Sequence, residues 1–87
     1  MASFKAKIID PVGLHARPAS ILTKEASKFS SNINIISGEK SGNLKSIMNV
    51  MSLAVKTGTE ITIEATGEDE KEAITAIEKI MKENSII

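Results

Sequence analysis

The sequence predicts a two-layer α+β sandwich, in which helices cover one face of a sheet. Three observations lead to this fold class. Strand-like and helix-like hydrophobic periods follow one another in the order β-α-β-β-α-β-α. The predicted strands alternate between apolar and polar residues, so one face of the sheet is buried and the other is in water. The 87 residues suffice for one domain over residues 1–87, with no linker or internal repeat.

The strands are predicted from strict alternation and from the glycines and prolines that interrupt it. Pro11 and Gly13 end the first strand. Gly38 and Gly42 bracket a tight return that leads into a short third strand. The predicted strands are residues 3–8, 32–36, 39–44 and 60–65.

The helices are predicted from apolar residues that recur every three or four positions. Pro18 lacks an N–H group and is tolerated only in the first turn of a helix, so the first helix begins at about residue 16. His15 therefore lies at or next to the N-cap of that helix. Ser46 is the predicted N-cap of a short second helix. Residues 67–69 open the third helix and place acidic side chains in its first turn.

The composition excludes several classes of function. Eleven basic and eleven acidic side chains leave no basic patch for nucleic acid, and two phenylalanines form no stacking platform for single strands. The absence of cysteine excludes disulfides and thiolate metal sites. No run reaches the ~20 apolar residues that span a bilayer, and the N-terminal residues do not resemble a signal peptide. We expect a cytoplasmic protein that binds no nucleic acid and does not insert into membranes.

His15, the only histidine, is positioned for phosphoryl chemistry. A helix N-terminus disfavours the imidazolium, so the imidazole stays nucleophilic. A phosphoryl group on His15 would receive hydrogen bonds from the main-chain N–H groups of Ala16 and Arg17 and from the Arg17 side chain. A charge at a helix terminus is worth about 0.3–2 kcal/mol, which holds the group weakly enough to be passed on. These arguments permit phosphorylation and leave open an ordinary surface or capping role for His15.

Two other histidine chemistries fit the sequence less well. A metal site needs more ligands than one histidine in a chain without cysteine, so no metal is expected. A Ser-His-Asp hydrolase needs a cleft-forming second lobe or a nucleophile elbow. Neither is present, although Asp10 and several serines are.

Two segments of the chain resemble a known family. Residues 13–20, GLHARPAS, resemble the active-site signature of the HPr family, the histidine-containing phosphocarriers of the phosphoenolpyruvate-dependent sugar phosphotransferase system. Residues 44–53, LKSIMNVMSL, resemble the regulatory serine region of family members from low-GC Gram-positive bacteria. Chain length and element order agree as well, so the resemblance covers the whole chain.

The resemblance implies an open-faced β-sandwich, with a four-stranded antiparallel sheet covered on one face by three helices. It implies that Nδ1 of His15 accepts a phosphoryl group from phospho-Enzyme I, which takes it from phosphoenolpyruvate. His15 would then pass the group to IIA domains of sugar permeases, and Arg17 would help to hold and release it. Such a protein is a stoichiometric carrier rather than an enzyme, needs no cofactor and suits a monomer.

The resemblance also implies regulation through Ser46. An ATP-dependent HPr kinase/phosphorylase would phosphorylate this hydroxyl. The seryl-phosphorylated form would slow transfer through His15 and act as a corepressor with catabolite control protein A. A role as N-cap is compatible with this modification.

Partner binding is expected on the outer side of the second helix. Helical spacing alone favours a core position for the apolar residues of this helix. Val50 and Leu53, however, can by themselves form its buried side. In the family the other side is an exposed docking patch, and adaptable methionines suit several partners. The predicted partner-binding residues are Ile47, Met48 and Met51, with Ser20 and Lys24 on the first helix.

Two positions depart from the family pattern. Asn49 and Ala54 stand where family members usually or often have glycine, which bears on recognition by the kinase or the corepressor partner. Two alternatives to the carrier remain: a purely regulatory HPr-like binding module, and a paralogue that serves a nitrogen-related phosphotransfer branch. The histidine at residue 15 argues against the regulators that lack it.

Overall fold

A computed structural model describes all residues from Met1 to Ile87. The elements are β1 Ala2–Lys7, α1 Ala16–Ala26, β2 Asn32–Ser37, β3 Lys40–Asn43, α2 Ile47–Ser52, β4 Glu60–Thr66 and α3 Glu70–Glu83. The four strands form the predicted antiparallel sheet. Their order is β1-β4-β2-β3, so β1 and β3 lie at the edges.

The core lies between the sheet and the helices. Ile61, Ile63 and Ala65 alternate along β4 and are buried, whereas the residues between them are half-buried on the open face. Burying an isoleucine stabilises a fold by about 1.5–3 kcal/mol, so truncating a central residue such as Ile63 is expected to cost about 2–5 kcal/mol. The helices add to one contiguous cluster Ala19, Leu22, Ala26, Ala73, Ile74, Ile77 and Met81.

The turn between β2 and β3 differs from the prediction at one glycine. Gly38 has a φ of +62° and makes the turn, as predicted. Gly42 lies inside β3, opposite Ile35, and does not bracket the return. A Cβ atom at Gly42 would lie 3.3 Å from the Cβ atom of Asn49, so the glycine permits close packing of α2 on β3.

Asp69 joins the beginning of α3 to the turn between α1 and β2. Its carboxylate accepts hydrogen bonds from the N–H groups of Ser30 (2.9 Å) and Ser31 (3.0 Å) and from the Ser31 hydroxyl. These bonds, the Ser31 hydroxyl first, lower the pKa of Asp69 from 3.8 to about 2. From the sequence only an acidic first turn is predicted here, because the partners of Asp69 lie almost 40 residues away along the chain.

Candidate functional site

His15 is the N-cap residue of α1 and has an extended backbone (φ −84°, ψ −169°). Its carbonyl oxygen accepts the first helical hydrogen bond, from the N–H of Ala19 at 3.0 Å. Its side chain makes no capping bond. The N–H groups of Ala16 and Arg17 have no acceptor within the protein, and Pro18 has no N–H to donate. The imidazole therefore stands beside two main-chain donors that are free to bind an anion.

The two ring nitrogens of His15 have different surroundings. Nε2 lies 3.5 Å from Oδ1 of Asp10, and the His15 side chain is 37% exposed. Asp10 is 8% exposed, and its Oδ1 also accepts a hydrogen bond from the N–H of Val12 at 3.0 Å. Nδ1 has no hydrogen-bond partner in the protein. Of the two ring nitrogens, only Nε2 therefore faces a carboxylate.

The contact between Asp10 and His15 was not predicted from the sequence, where Asp10 was considered only as a component of the rejected Ser-His-Asp hydrolase. One signal was present, because an aspartate that opens a tight turn often bonds the N–H two residues on. That bond fixes the Asp10 carboxylate inside the loop that leads to His15.

The loop before α1 rests on the chain that follows α2. Gly13 has a φ of +81°, and a Cβ atom there would lie 2.3 Å from the carbonyl oxygen of Val55. The next residue, Leu14, donates its N–H to the same oxygen at 3.0 Å. Only glycine permits both this backbone conformation and this approach. The position of His15 therefore depends on close backbone contact with Val55.

Arg17 is exposed in the first turn of α1. It takes part in none of the four ion pairs of the protein, and its guanidinium makes no hydrogen bond within the chain. A guanidinium presents a planar fork of donors that matches phosphate oxygens. Arg17 is thus an unpaired cation two residues from His15.

Ser46 is the N-cap residue of α2, as predicted. Its backbone is extended (φ −118°, ψ 113°), and its Oγ accepts a hydrogen bond from the N–H of Asn49 at 3.3 Å. The side chain of Asn49 accepts a second bond, from the N–H of Asn43 at 3.2 Å. A glycine at residue 49 could not make that bond, so Asn49 adds a link between α2 and the end of β3.

The outer side of α2 is apolar and exposed. Met48 is 80% exposed, whereas Val50 is fully buried, which confirms the expected division of this short helix. Helices α1 and α2 contact each other, and both expose predicted docking residues. We call this set the α1–α2 surface, and it comprises Ser20, Lys24, Ile47, Met48 and Met51.

A family model described as "PTS HPr component phosphorylation site" matches residues 2–83. The chain belongs to the HPr family. The protein is therefore a phosphocarrier of the phosphotransferase system, and an HPr phosphocarrier is not itself an enzyme. No helix of this HPr-family chain has the length and apolar character needed to cross a membrane.

Relatives of this HPr-family chain match it over nearly its full length. It is 67% identical over 87 residues to phosphocarrier protein HPr of Mycoplasma capricolum subsp. capricolum, covering 100% of the chain and 98% of the relative. It is 52% identical over 89 residues to phosphocarrier protein HPr of Mycoplasma genitalium, covering 100% of both. A solved histidine-containing phosphocarrier protein of Mycoplasma superposes with a TM-score of 0.97 at 66% identity, covering 99% of this chain and 98% of that one. The predicted family and fold are confirmed.

Proposed function

We propose that His15 is the phosphoryl acceptor of this phosphocarrier, and that it receives the group on Nδ1 from phospho-Enzyme I and passes it to IIA domains of sugar permeases. One observation carries the proposal: a partly exposed imidazole at a helix N-cap leaves Nδ1 free, beside two main-chain N–H groups without acceptors. Membership of the HPr family supports the same role.

The transfer step follows from these surroundings. The lone pair of Nδ1 attacks phosphorus, the N–P bond forms, and the bond from phosphorus to the donor breaks with its electron pair returning to the donor. The phosphoryl oxygens then meet the N–H groups of Ala16 and Arg17 and the Arg17 guanidinium. The site is at the surface, and the interaction of the anion with the helix terminus contributes only about 0.3–2 kcal/mol. The phosphoryl group therefore remains available to the next acceptor.

Labelled phosphoenolpyruvate and Enzyme I test this proposal. We expect one acid-labile, alkali-stable label per chain in the wild type and none in His15→Ala. A label that persists in His15→Ala, or the absence of any acid-labile label, contradicts the carrier role of His15. The second outcome would favour the purely regulatory binding module.

Partner docking is proposed for the α1–α2 surface. Enzyme I and IIA domains must each bring a phosphoryl site to His15, so we propose that they use the same surface in turn. Met48→Glu places a charge on this apolar surface without changing the core, because the side chain is 80% exposed. We expect a lower rate of phosphorylation by Enzyme I at low protein concentration and an unchanged free energy of unfolding. Lys79→Glu on α3 is the matched control, and an equal loss in both variants contradicts docking at Met48.

Regulation is proposed at Ser46, through HPr kinase/phosphorylase and, in the phosphorylated form, catabolite control protein A. The support is the position of Ser46 directly before α2, whose exposed apolar residues belong to the α1–α2 surface. A phosphate there adds about −1.5 to −2 charge beside the docking residues. Ser46→Asp should slow transfer from Enzyme I to His15, whereas Thr75→Asp, at an exposed position of α3 outside the α1–α2 surface, should not. Equal rates in Ser46→Asp and the wild type contradict this regulation.

We further propose that the carrier is monomeric and acts in the cytoplasm. Some relatives are described as dimers, including an HPr dimer of Thermoanaerobacter tengcongensis that is 42% identical to this chain. A monomer leaves the α1–α2 surface free for successive partners. Sedimentation at working concentration tests the proposal, and a stable dimer contradicts it.

A further inference from the structure

We propose that Asp10 is a positioning residue for His15: its carboxylate favours the tautomer with the proton on Nε2 and so leaves the lone pair on Nδ1. This inference rests on the proposed transfer through Nδ1. The sequence motif around His15 does not include Asp10, and the contact arises from the turn between β1 and α1.

The geometry keeps the carboxylate in place. Oδ1 of Asp10 lies 3.5 Å from Nε2 of His15 and accepts the N–H of Val12 at 3.0 Å. The carbonyl oxygen of Asp10 accepts the N–H of Gly13 at 2.9 Å, which closes the turn. Asp10 is 8% exposed and forms no ion pair with any lysine or arginine. Its only ionisable partner is therefore His15.

The chemistry of imidazole makes this contact important. A neutral imidazole carries one proton, on either Nδ1 or Nε2, and only the nitrogen without the proton is nucleophilic. The hydrogen bond that one nitrogen makes decides which tautomer is present. A carboxylate fixed 3.5 Å from Nε2 attracts a proton on Nε2 more strongly than one on Nδ1, and so favours the tautomer with a lone pair on Nδ1.

The same carboxylate acts during transfer. As the Nδ1–P bond forms and the bond from phosphorus to the donor breaks, the ring keeps its proton on Nε2 and gains positive charge. A carboxylate already aimed at Nε2 stabilises that charge without reorganising. In the reverse direction, when the phosphoryl group leaves for the next acceptor, the ring returns to the same tautomer. Because Asp10 is 8% exposed and its carboxylate faces Nε2, we expect it to act on the transfer only through His15.

The test combines a spectroscopic readout with a rate. ¹⁵N NMR of the His15 ring, at a pH where the ring is neutral, reports which nitrogen carries the proton. We expect the Nε2–H tautomer to predominate in the wild type and the Nδ1–H form to gain population in Asp10→Ala. The rate of phosphorylation by Enzyme I and phosphoenolpyruvate should fall about tenfold in Asp10→Ala, by analogy with the loss that follows removal of a group that orients a metal-bound histidine. Asp10→Asn retains an Oδ1 acceptor, so its tautomer population and rate should lie between those of the wild type and those of Asp10→Ala.

Glu68→Gln is the matched control. It also removes one carboxylate, but Glu68 is exposed and follows the C-terminal end of the seven-residue strand β4. Val55, which contacts the His15 loop, precedes the N-terminal end of the same strand. We expect the tautomer and rate of Glu68→Gln to equal those of the wild type. Amide spectra of each variant establish that the fold is retained.

Three results would overturn the proposal. The first is a wild-type ring that is mainly the Nδ1–H tautomer, and this measurement needs no variant. The second is an unchanged tautomer in Asp10→Ala, whatever its rate. The third is a changed tautomer with an unchanged rate. None of these abolishes acid-labile labelling of His15 in the wild type, so the failure of this inference is distinguishable from the failure of the proposed function.

Discussion

The N–H of Leu14 donates a 3.0 Å hydrogen bond to the carbonyl oxygen of Val55. This bond joins the loop that carries His15 to the chain that leaves α2. The proposed transfer site and the helix that follows Ser46 are therefore attached to one another through the backbone. A displacement of either loop is expected to reach the other.

Gly13→Ala should disrupt this contact. The new Cβ atom would lie 2.3 Å from the carbonyl oxygen of Val55, and the φ of +81° is unfavourable for alanine. Gly58 provides a matched control, because its φ is +85° but no atom lies within 4 Å of the corresponding Cβ position. We expect Gly13→Ala to lower the free energy of unfolding by about 1–3 kcal/mol more than Gly58→Ala does. Urea unfolding measures the difference, and equal losses would show that the approach to Val55 is not tight.

Ala54→Gly should stabilise the protein. Ala54 follows α2 with a φ of 52°, a left-handed conformation that costs a residue with a Cβ atom about 1–2 kcal/mol. Glycine adopts it freely, so we expect a gain of about 1 kcal/mol after its greater chain entropy in the unfolded state is counted. Ala76→Gly inside α3 should have the opposite sign and cost about 1 kcal/mol. Thermal unfolding measures both, and a loss in Ala54→Gly would contradict the strained conformation.

Asp69→Asn should make stability less dependent on acid pH. The folded-state pKa of Asp69 is lowered from 3.8 to about 2, so its carboxylate stabilises the fold above the unfolded pKa, and this contribution disappears as the pH falls through about 2. We expect the variant to be less stable than the wild type at neutral pH and the difference to shrink between pH 3.8 and about 2. Urea midpoints across this range are the measurement, with Glu68→Gln as the control. A difference that is constant with pH would mean that the carboxylate charge is unimportant.

Arg17→Ala should slow phosphoryl transfer without loss of stability. The guanidinium has no partner within the chain, so its removal leaves no buried group unsatisfied. A hydrogen bond to a charged group is worth about 1.5–3 kcal/mol, which predicts a rate at least about tenfold lower. Arg17→Lys should recover only part of the rate, because an ammonium lacks the planar fork. Lys79→Ala controls for the loss of one positive charge, and a similar rate in all three variants would contradict a phosphate contact at Arg17.

The helix starts could be predicted because each depends on local chemistry. Pro18 restricts the start of α1 to within a few residues, and the hydroxyl of Ser46 marks the start of α2. The alternation of β4 was likewise visible in the chain. These features need only a few neighbouring residues, and the structure agrees with them.

The remaining features depend on contacts between distant parts of the chain. Gly42 was predicted at a turn because glycine often marks one, but the approach of Asn49 explains it. The bonds from Ser30 and Ser31 to Asp69 could not be read from its helical position. The direction of the Asp10 carboxylate depends on how its loop closes. Sequence pattern thus located His15, and tertiary structure distinguishes its two nitrogens.

The N-terminal end of α1 has an energetic consequence for a carrier. Its N-cap side chain makes no bond to the helix, so two first-turn N–H groups remain without acceptors. A phosphoryl group on His15 would act as the missing cap and make the phosphorylated protein more resistant to unfolding. By thermodynamic linkage, the increase in the free energy of unfolding caused by phosphorylation equals the amount by which folding makes transfer of the phosphoryl group less favourable. If His15 carries the group as proposed, the transfer potential of the carrier is coupled to the capping of one helix, and the difference in the free energy of unfolding between the phosphorylated and unphosphorylated forms measures this coupling.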